Sequence, residues 1–230
     1  IREEHLFTMA RQTAININTI PIGPLGIIGM PGCEELTDKI DKYLVKWRKT
    51  QAIEHAESIA FFGYQRDSYK IDITIPRFGS GEGKGVINES VRGYDIYIVC
   101  DVFNYSCTYN MYGKEVCMSP DDHFADLKRV ISALCSKPKR VSVIMPMLYE
   151  GRQHKRSSRE SLDCAMALKE LVHLGVENII TFDAHDQRVQ NAIPDKSFEN
   201  VMPTYQMIKA LVNNVDDLKV DKDHLMVISP

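Results

Sequence analysis

Four cations, Arg152, Lys155, Arg156 and Arg159, crowd into eight residues of the stretch YEGRQHKRSSRE (149–160). Arginine grips phosphate through paired, charge-assisted hydrogen bonds, and lysine adds a compact positive charge. Near a protein surface, one unit-charge pair at ~4 Å is worth roughly 4 kcal/mol before desolvation. Several cations aimed at one polyphosphate therefore outweigh the same charges spread apart, although a solvated loop has the same composition. A second cluster, FDAHDQR (182–188), places Asp183, His185 and Asp186 just past an apolar run. A carboxylate and an imidazole there can share a divalent ion, act as acid and base, or serve only local structure. The third cluster, PRFGSGEGKG (76–85), is glycine-rich but lacks the G-x-x-x-x-G-K-[ST] spacing of a P-loop. An ordinary turn between strands reads the same way.

Periodicity predicts the elements that must position these loops. EELTDKIDKYLVKWR (34–48) carries Leu36, Ile40, Tyr43, Leu44 and Trp47 at helical spacing. SIAFFGY (58–64), IDITI (71–75) and DIYIVCDVF (95–103) read as strands, the last β-rich and nearly continuous, as a buried strand is. In SPDDHFADLKRVISAL (119–134), Ser119 is a natural N-cap, Pro120 fits the first helical position, and Asp121 and Asp122 suit the positive end of the dipole. Phe124, Leu127, Ile131 and Leu134 give that helix one apolar face. RVSVIMP (140–146) is a strand, a helix over 160–174 ends at Gly175, and ENIITFDAH (177–185) is the next strand and its exit. NAIPDKSFENVMP (191–203) reads as a linker. Tyr205, Ile208, Leu211, Val212 and Val215 mark a further helix before a last strand at 224–229. YNMYGKE (109–115) reads as an ordinary insertion. Alternating strands and helices with short connections mean an α/β fold, its sheet largely parallel and flanked by helices. In such sheets ligands bind at the carboxyl ends of strands, where all three polar loops are expected.

Bulk properties narrow the function classes. The chain has 230 residues, 28 basic against 31 acidic, and a formal net charge of −3. That balance gives no global case for nucleic acid or an anionic membrane as partner. Six cysteines are scattered with no C-x-x-C pair, which argues against a zinc site and for free thiols in a reducing, cytoplasmic compartment. No apolar run approaches the ~18 residues that span a bilayer. The chain opens on Ile1 and closes on the strand-like HLMVISP, and so reads as a piece of something longer.

Taken in order, FGSGEGKGVINESVRGYDIYIV (78–99), VSVIMPMLYEGRQHKR (141–156) and ENIITFDAHDQRVQNAIP (177–194) resemble the ribose-phosphate pyrophosphokinase (PRPP synthetase) family. The resemblance implies two similar phosphoribosyltransferase-like α/β domains: one over 1–195 with an N-terminal extension, then a linker and the beginning of a truncated second over 196–230. It implies transfer of the β,γ-diphosphate of ATP to C1 of ribose 5-phosphate, giving PRPP and AMP, with Mg²⁺ as cofactor and a homo-oligomer as the working form. By the same resemblance, Phe78 and Glu82 contact adenine across a subunit boundary, and Arg152 and Gln153 lie near the nucleotide. Lys155 and Arg156 extend the basic loop. His185 stands beside metal and triphosphate with Asp183 supporting it, and Ser90 and Arg92 match a regulatory phosphate site. His154 and Ser80 replace the family's usual acidic or amide residues, Glu160 stands where the family has an arginine, and 104–118 is longer than usual. The family's later catalytic loops do not follow, so this chain alone is expected to be inactive. The rival expectation is a catalytically silent homologue that binds and regulates. A phosphoribosyltransferase that consumes PRPP ranks behind it, and a nucleic-acid module last.

Overall fold

The computed structural model describes residues 21–54 and 65–215, with 218, 219, 221, 223, 224 and 226. The expected strand at 58–64, the N-terminal extension up to residue 20 and four of the six residues of the strand at 224–229 lie outside these residues. Nine strands are described: β1 (Leu25–Gly29), β2 (Ile73–Thr74), β3 (Val86–Ile87), β4 (Asp95–Val99), β5 (Thr108–Met111), β6 (Lys114–Cys117), β7 (Arg140–Met145), β8 (Asn178–Phe182) and β9 (Ser197–Val201). The helices are α1 (Glu34–Glu54), α2 (Pro120–Ala133), α3 (Asp163–His173) and α4 (Thr204–Asn214), with a 3-10 turn at Gln187–Ala192. Among the described residues no helix is long and apolar enough to cross a membrane.

Five strands form one all-parallel sheet in the order β1-β4-β7-β8-β9. Side chains alternate across a strand, so neighbouring residues serve opposite faces. Ile28, Ile96, Ile98, Val143, Met145 and Ile179 meet the apolar faces of α2 and α3 in the main core. Ile27, Val99 and Ile144, of opposite parity, meet α1 through Ile40, Leu44 and Val45. Helices on both faces are what an all-parallel sheet requires. Close docking of α1 depends on Gly29, where a Cβ would lie 2.6 Å from Thr37 Oγ1. At the amino end of the sheet, Asp95 and Arg140 are register partners on β4 and β7. Arg140 Nε donates to Asp95 Oδ1 at 2.8 Å, a second arm reaches Oδ2, and that arm also donates to Tyr97 Oη at 3.0 Å.

Ser119 caps α2 as its sequence indicates: Asp122 N–H donates to Ser119 Oγ at 3.2 Å, and Ser119 N–H donates to Asp122 Oδ2 at 2.9 Å. α3 ends before Gly175, whose φ of +98° suits a left-handed cap. Three expectations are revised. The 191–203 stretch is not a plain linker but supplies β9, paired in parallel with β8, so the sheet runs to Val201, past the expected boundary at 195. Residues 71–75 contribute only the short β2, which pairs antiparallel with β3, while Tyr69 and Ile71 exchange backbone hydrogen bonds with Ile27 along the sheet edge. The 109–115 insertion is most of a β5–β6 hairpin, with Tyr112 and Gly113 at its turn. α4 forms where expected, but Tyr205, Ile208, Leu211 and Val212 stay exposed. All six cysteines are free. Burial pushes the thiols of Cys33 and Cys164 up to about 11 and that of Cys100 well above the usual range, while Cys117 and Cys135 are exposed.

Replacing Ser119 by Ala removes the acceptor for an otherwise orphaned helix donor and is expected to cost about 1 kcal/mol. Urea unfolding checks this: the midpoint should fall with no change in slope, and an unchanged midpoint would show that the cap contributes nothing.

Candidate functional site

Because β4, β7 and β8 are parallel neighbours, the segments leaving them emerge side by side. They enclose a cleft of about 510 Å³, lined by residues 147–152 beyond β7, 182–185 at the end of β8 and beyond it, and Phe103 and Tyr105 beyond β4. A second hollow, of about 520 Å³, lies between α1 and residues 70–75. Glu34, Asp38, Asp72 and Glu89 outnumber Lys70 there, and Lys70 already pairs with Asp38 at 2.7 Å, so that hollow is unsuited to a polyanion.

The basic loop is anchored at its root. Tyr149 stacks on Phe124 with ring centroids 4.2 Å apart, and its hydroxyl donates to Asp121 Oδ1 at 2.6 Å. Glu150 has a φ of 54°, and Gln153 N–H donates to its carbonyl at 2.8 Å, closing a turn. Arg152 within that turn and Lys155 and Arg156 beyond it are exposed, and none of the three side chains has an ion pair or hydrogen bond among the described residues. Glu160, four residues beyond Arg156, is engaged otherwise: it accepts from Ser158 Oγ at 2.9 Å and Ser157 N–H at 3.2 Å.

Asp183 leaves β8 with a φ of 48°. A non-glycine residue in that region carries strain on the order of 1–2 kcal/mol. The turn is held by Asp183 N–H on Val201 O at 3.1 Å and Ala184 N–H on Asn200 Oδ1 at 2.9 Å, both contributed by β9. The Asp183 carboxylate and the His185 ring stay exposed. Asp186 is committed to Arg188, whose backbone N–H and Nε each donate at 2.9 Å. The Arg188 hydrogen bonds hold its carboxyl well below the usual carboxylate range. His154 bridges the two loops, with Nε2 3.4 Å from Asp186 Oδ2 and its ring centroid 5.1 Å from that of His185. Among the described residues no three His, Cys, Asp or Glu side chains converge as a metal cage. Asp183 remains as an open oxygen donor with an imidazole nearby, a set that suits a cation drawing its other ligands from water and phosphate.

Residues 25–175 match the sequence model of the N-terminal domain of ribose phosphate pyrophosphokinase. The chain belongs to this family. Ribose-phosphate pyrophosphokinases of Pasteurella multocida and Vibrio cholerae are each 25% identical to it, over 162 and 150 residues. The alignments cover 69% and 64% of the chain but 45% and 43% of those relatives, so the chain spans less than half the length of the curated relatives it matches. A phosphoribosylpyrophosphate synthetase from Mycobacterium smegmatis superposes with a TM-score of 0.60 at 18% identity, over 83% of this chain and 52% of that one, which shows a shared fold.

Within this pyrophosphokinase-family chain, Arg152, Asp183 and His185 line one cleft. Gln153, Lys155 and Arg156 follow on the same loop, outside its wall. The loop 76–85 does not sit at the end of a parallel strand. It is the tip of the β2–β3 hairpin, where Phe78 N–H donates to Glu82 O at 2.8 Å and the Phe78 ring is exposed. Phe78 and Glu82 are therefore not part of the cleft of their own chain. Ser90 and Arg92 precede β4, at the opposite end of the sheet. Sequence reasoning missed Tyr105 and Tyr149, although applying the strand-exit rule to β4 would have nominated the residues after Cys100.

Burial first, then donation to Asp121, lifts the Tyr149 phenol well above its ordinary range, and burial lifts Tyr97. The stabilisation that the neutral Tyr149 phenol provides is full below pH ~10 and is lost as pH rises through its folded-state value. In alkaline absorbance titration, Tyr149→Phe should delete one late-ionising phenol. A late phase of unchanged size would show that the anchor does not form.

Proposed function

We propose that this chain is the nucleotide-binding part of a Mg²⁺-dependent ribose-phosphate diphosphokinase. The reaction would move the β,γ-diphosphate of ATP to the C1 hydroxyl of ribose 5-phosphate, breaking the bond from the bridging oxygen to Pβ and releasing AMP. One observation carries the reading: unpaired Arg152, on an anchored loop that continues into Lys155 and Arg156, shares a cleft with the strained Asp183–His185 exit. Transfer at phosphorus needs in-line positioning and neutralisation of charge more than covalent help. Arg152 would bind phosphate oxygens from the cleft wall, and Lys155 and Arg156 would close over the chain of phosphates, with Gln153 beside the nucleotide. His185 would hold the reacting phosphates in line. Asp183, with His185 alongside, would hold Mg²⁺, which when bound supplies a Lewis acid that spreads charge over the phosphate oxygens.

Phe78 and Glu82, outside their own chain's cleft, would serve the site of a neighbouring copy, making the working form a homo-oligomer. Ser90 and Arg92 are candidates for a regulatory phosphate remote from the cleft. α4, with its exposed apolar side chains, would open a second domain of the same type, and a cytoplasmic setting suits such an enzyme.

ATP binding with Mg²⁺, followed by calorimetry, should weaken about tenfold or more in Arg152→Ala, since hydrogen bonds to charged groups are worth ~1.5–3 kcal/mol. With ribose 5-phosphate added, AMP supports diphosphate transfer, and ADP in its place rules it out. ATP binding with no turnover favours the silent, regulatory reading.

A further inference from the structure

The turn after β4 is held far more tightly than a surface loop needs to be. Asp101 N–H donates to Cys33 Sγ at 3.0 Å, and Phe103 N–H donates to Asp101 Oδ1 at 3.0 Å. Asn104 is fixed from three sides. Its Nδ2 donates to Gly32 O at 3.0 Å, its Oδ1 accepts from Ser106 N–H at 2.9 Å, and its carbonyl lies 2.8 Å from Nε2 of His123. A carbonyl can only accept, so Nε2 carries the proton. His123 is 1% exposed, and this buried ring is not part of the cleft lining.

What this turn presents is Tyr105, 62% exposed, on the wall of the same cleft as Arg152, Asp183 and His185. Its hydroxyl has no partner among the described residues. A large aromatic left open to water on a pinned turn is a preorganised surface, since binding to it orders little further. Phe182 and Met147 add apolar area to the same cleft. A volume of about 510 Å³ suits a small molecule, and unpaired Arg152 on the wall, with Lys155 and Arg156 following on the same loop, offers partners to an anionic end, while the Glu150 and Asp183 carboxylates beside it suit a phosphate chain that carries a cation. Aromatic at one end and polyanionic at the other is the chemistry of a nucleoside triphosphate.

We propose that Tyr105 is the platform on which the heteroaromatic base of the nucleotide stacks, so that this chain contributes a base contact of its own. The proposal rests on the nucleotide reading above and adds a residue that determines specificity. Stacking on an aromatic tolerates any base, so Tyr105 favours nucleotides over bare polyphosphates without selecting adenine.

Calorimetry on the purified protein with Mg²⁺ tests this with two probes, ATP and inorganic tripolyphosphate. In Tyr105→Ala, ATP should bind about tenfold more weakly, the usual size of one lost stacking contact, while tripolyphosphate binding is unchanged. Tyr105→Phe keeps the ring and should bind both probes like the unaltered protein. If Tyr105→Ala binds ATP normally, or loses both probes equally, the platform is overturned while the phosphate reading stands. If the unaltered protein binds neither probe, the nucleotide reading itself fails, and the platform with it.

Discussion

The first two turns of α2 hold the rest of the molecule in place. Asp121 accepts the Tyr149 hydroxyl and so fixes the root of the basic loop. Asp122 closes the capping box and lies 3.4 Å from the Tyr109 hydroxyl of the β5–β6 hairpin. His123 holds the turn that carries Tyr105. Asp126, 1% exposed, accepts from both Arg77 and Arg129, and Arg77 in turn lies over the Tyr109 ring and donates to Gly81 O in the β2–β3 loop. A carboxylate this deep is tolerated only with its partners, because stripping a partner from a buried pair typically costs about 3–5 kcal/mol. The opposite face of the helix, through Phe124, Leu127, Val130 and Ile131, is sunk in the core. One amphipathic helix thus transmits the rigidity of the core to four surface segments.

This arrangement also explains how a chain of net charge −3 presents a positive loop. Three acids near the basic loop are already committed: Asp121 to Tyr149, Asp186 to Arg188, and Glu160 to two serines, which leaves Glu150 and Asp183 as the open carboxylates beside Arg152. The cations of the loop have no such engagement. Local potential is set less by the count of charges than by which are neutralised nearby, and here three acids are neutralised while the cations are not. At the other end of the sheet the opposite holds, since Asp95 and Arg140 satisfy each other and lock register without leaving charge to spare.

Local signals in the sequence were readable where the chemistry is local. The cap and apolar face of α2, the buried runs of β4, β7 and β8, and the cationic loop each follow from residues within a few positions of one another. β9 was hidden because SFENV is half polar and flanked by Pro194 and Pro203, and its pairing with β8 is a tertiary event. The β5–β6 turn was hidden because Tyr112 and Gly113, both at positive φ, replace the usual Asn-Gly; Asn110 Oδ1 instead accepts from Gly113 N–H at 2.9 Å. At the site, Arg152, Asp183 and His185 stood out by type. Tyr105 and Tyr149 did not, because an aromatic in a loop looks like a core residue until its exposure and partners are known.

The buried thiols make the molecule a recorder of its own opening. Cys33 sits at the entry to α1, Cys100 at the exit of β4 and Cys164 in the first turn of α3, so each reports on a different part of the fold. Only a thiolate reacts with an alkylating reagent, and burial suppresses both access and ionisation at these three positions. Their rates of alkylation therefore measure how often each region breathes, with Cys117 and Cys135 as internal clocks that are always running.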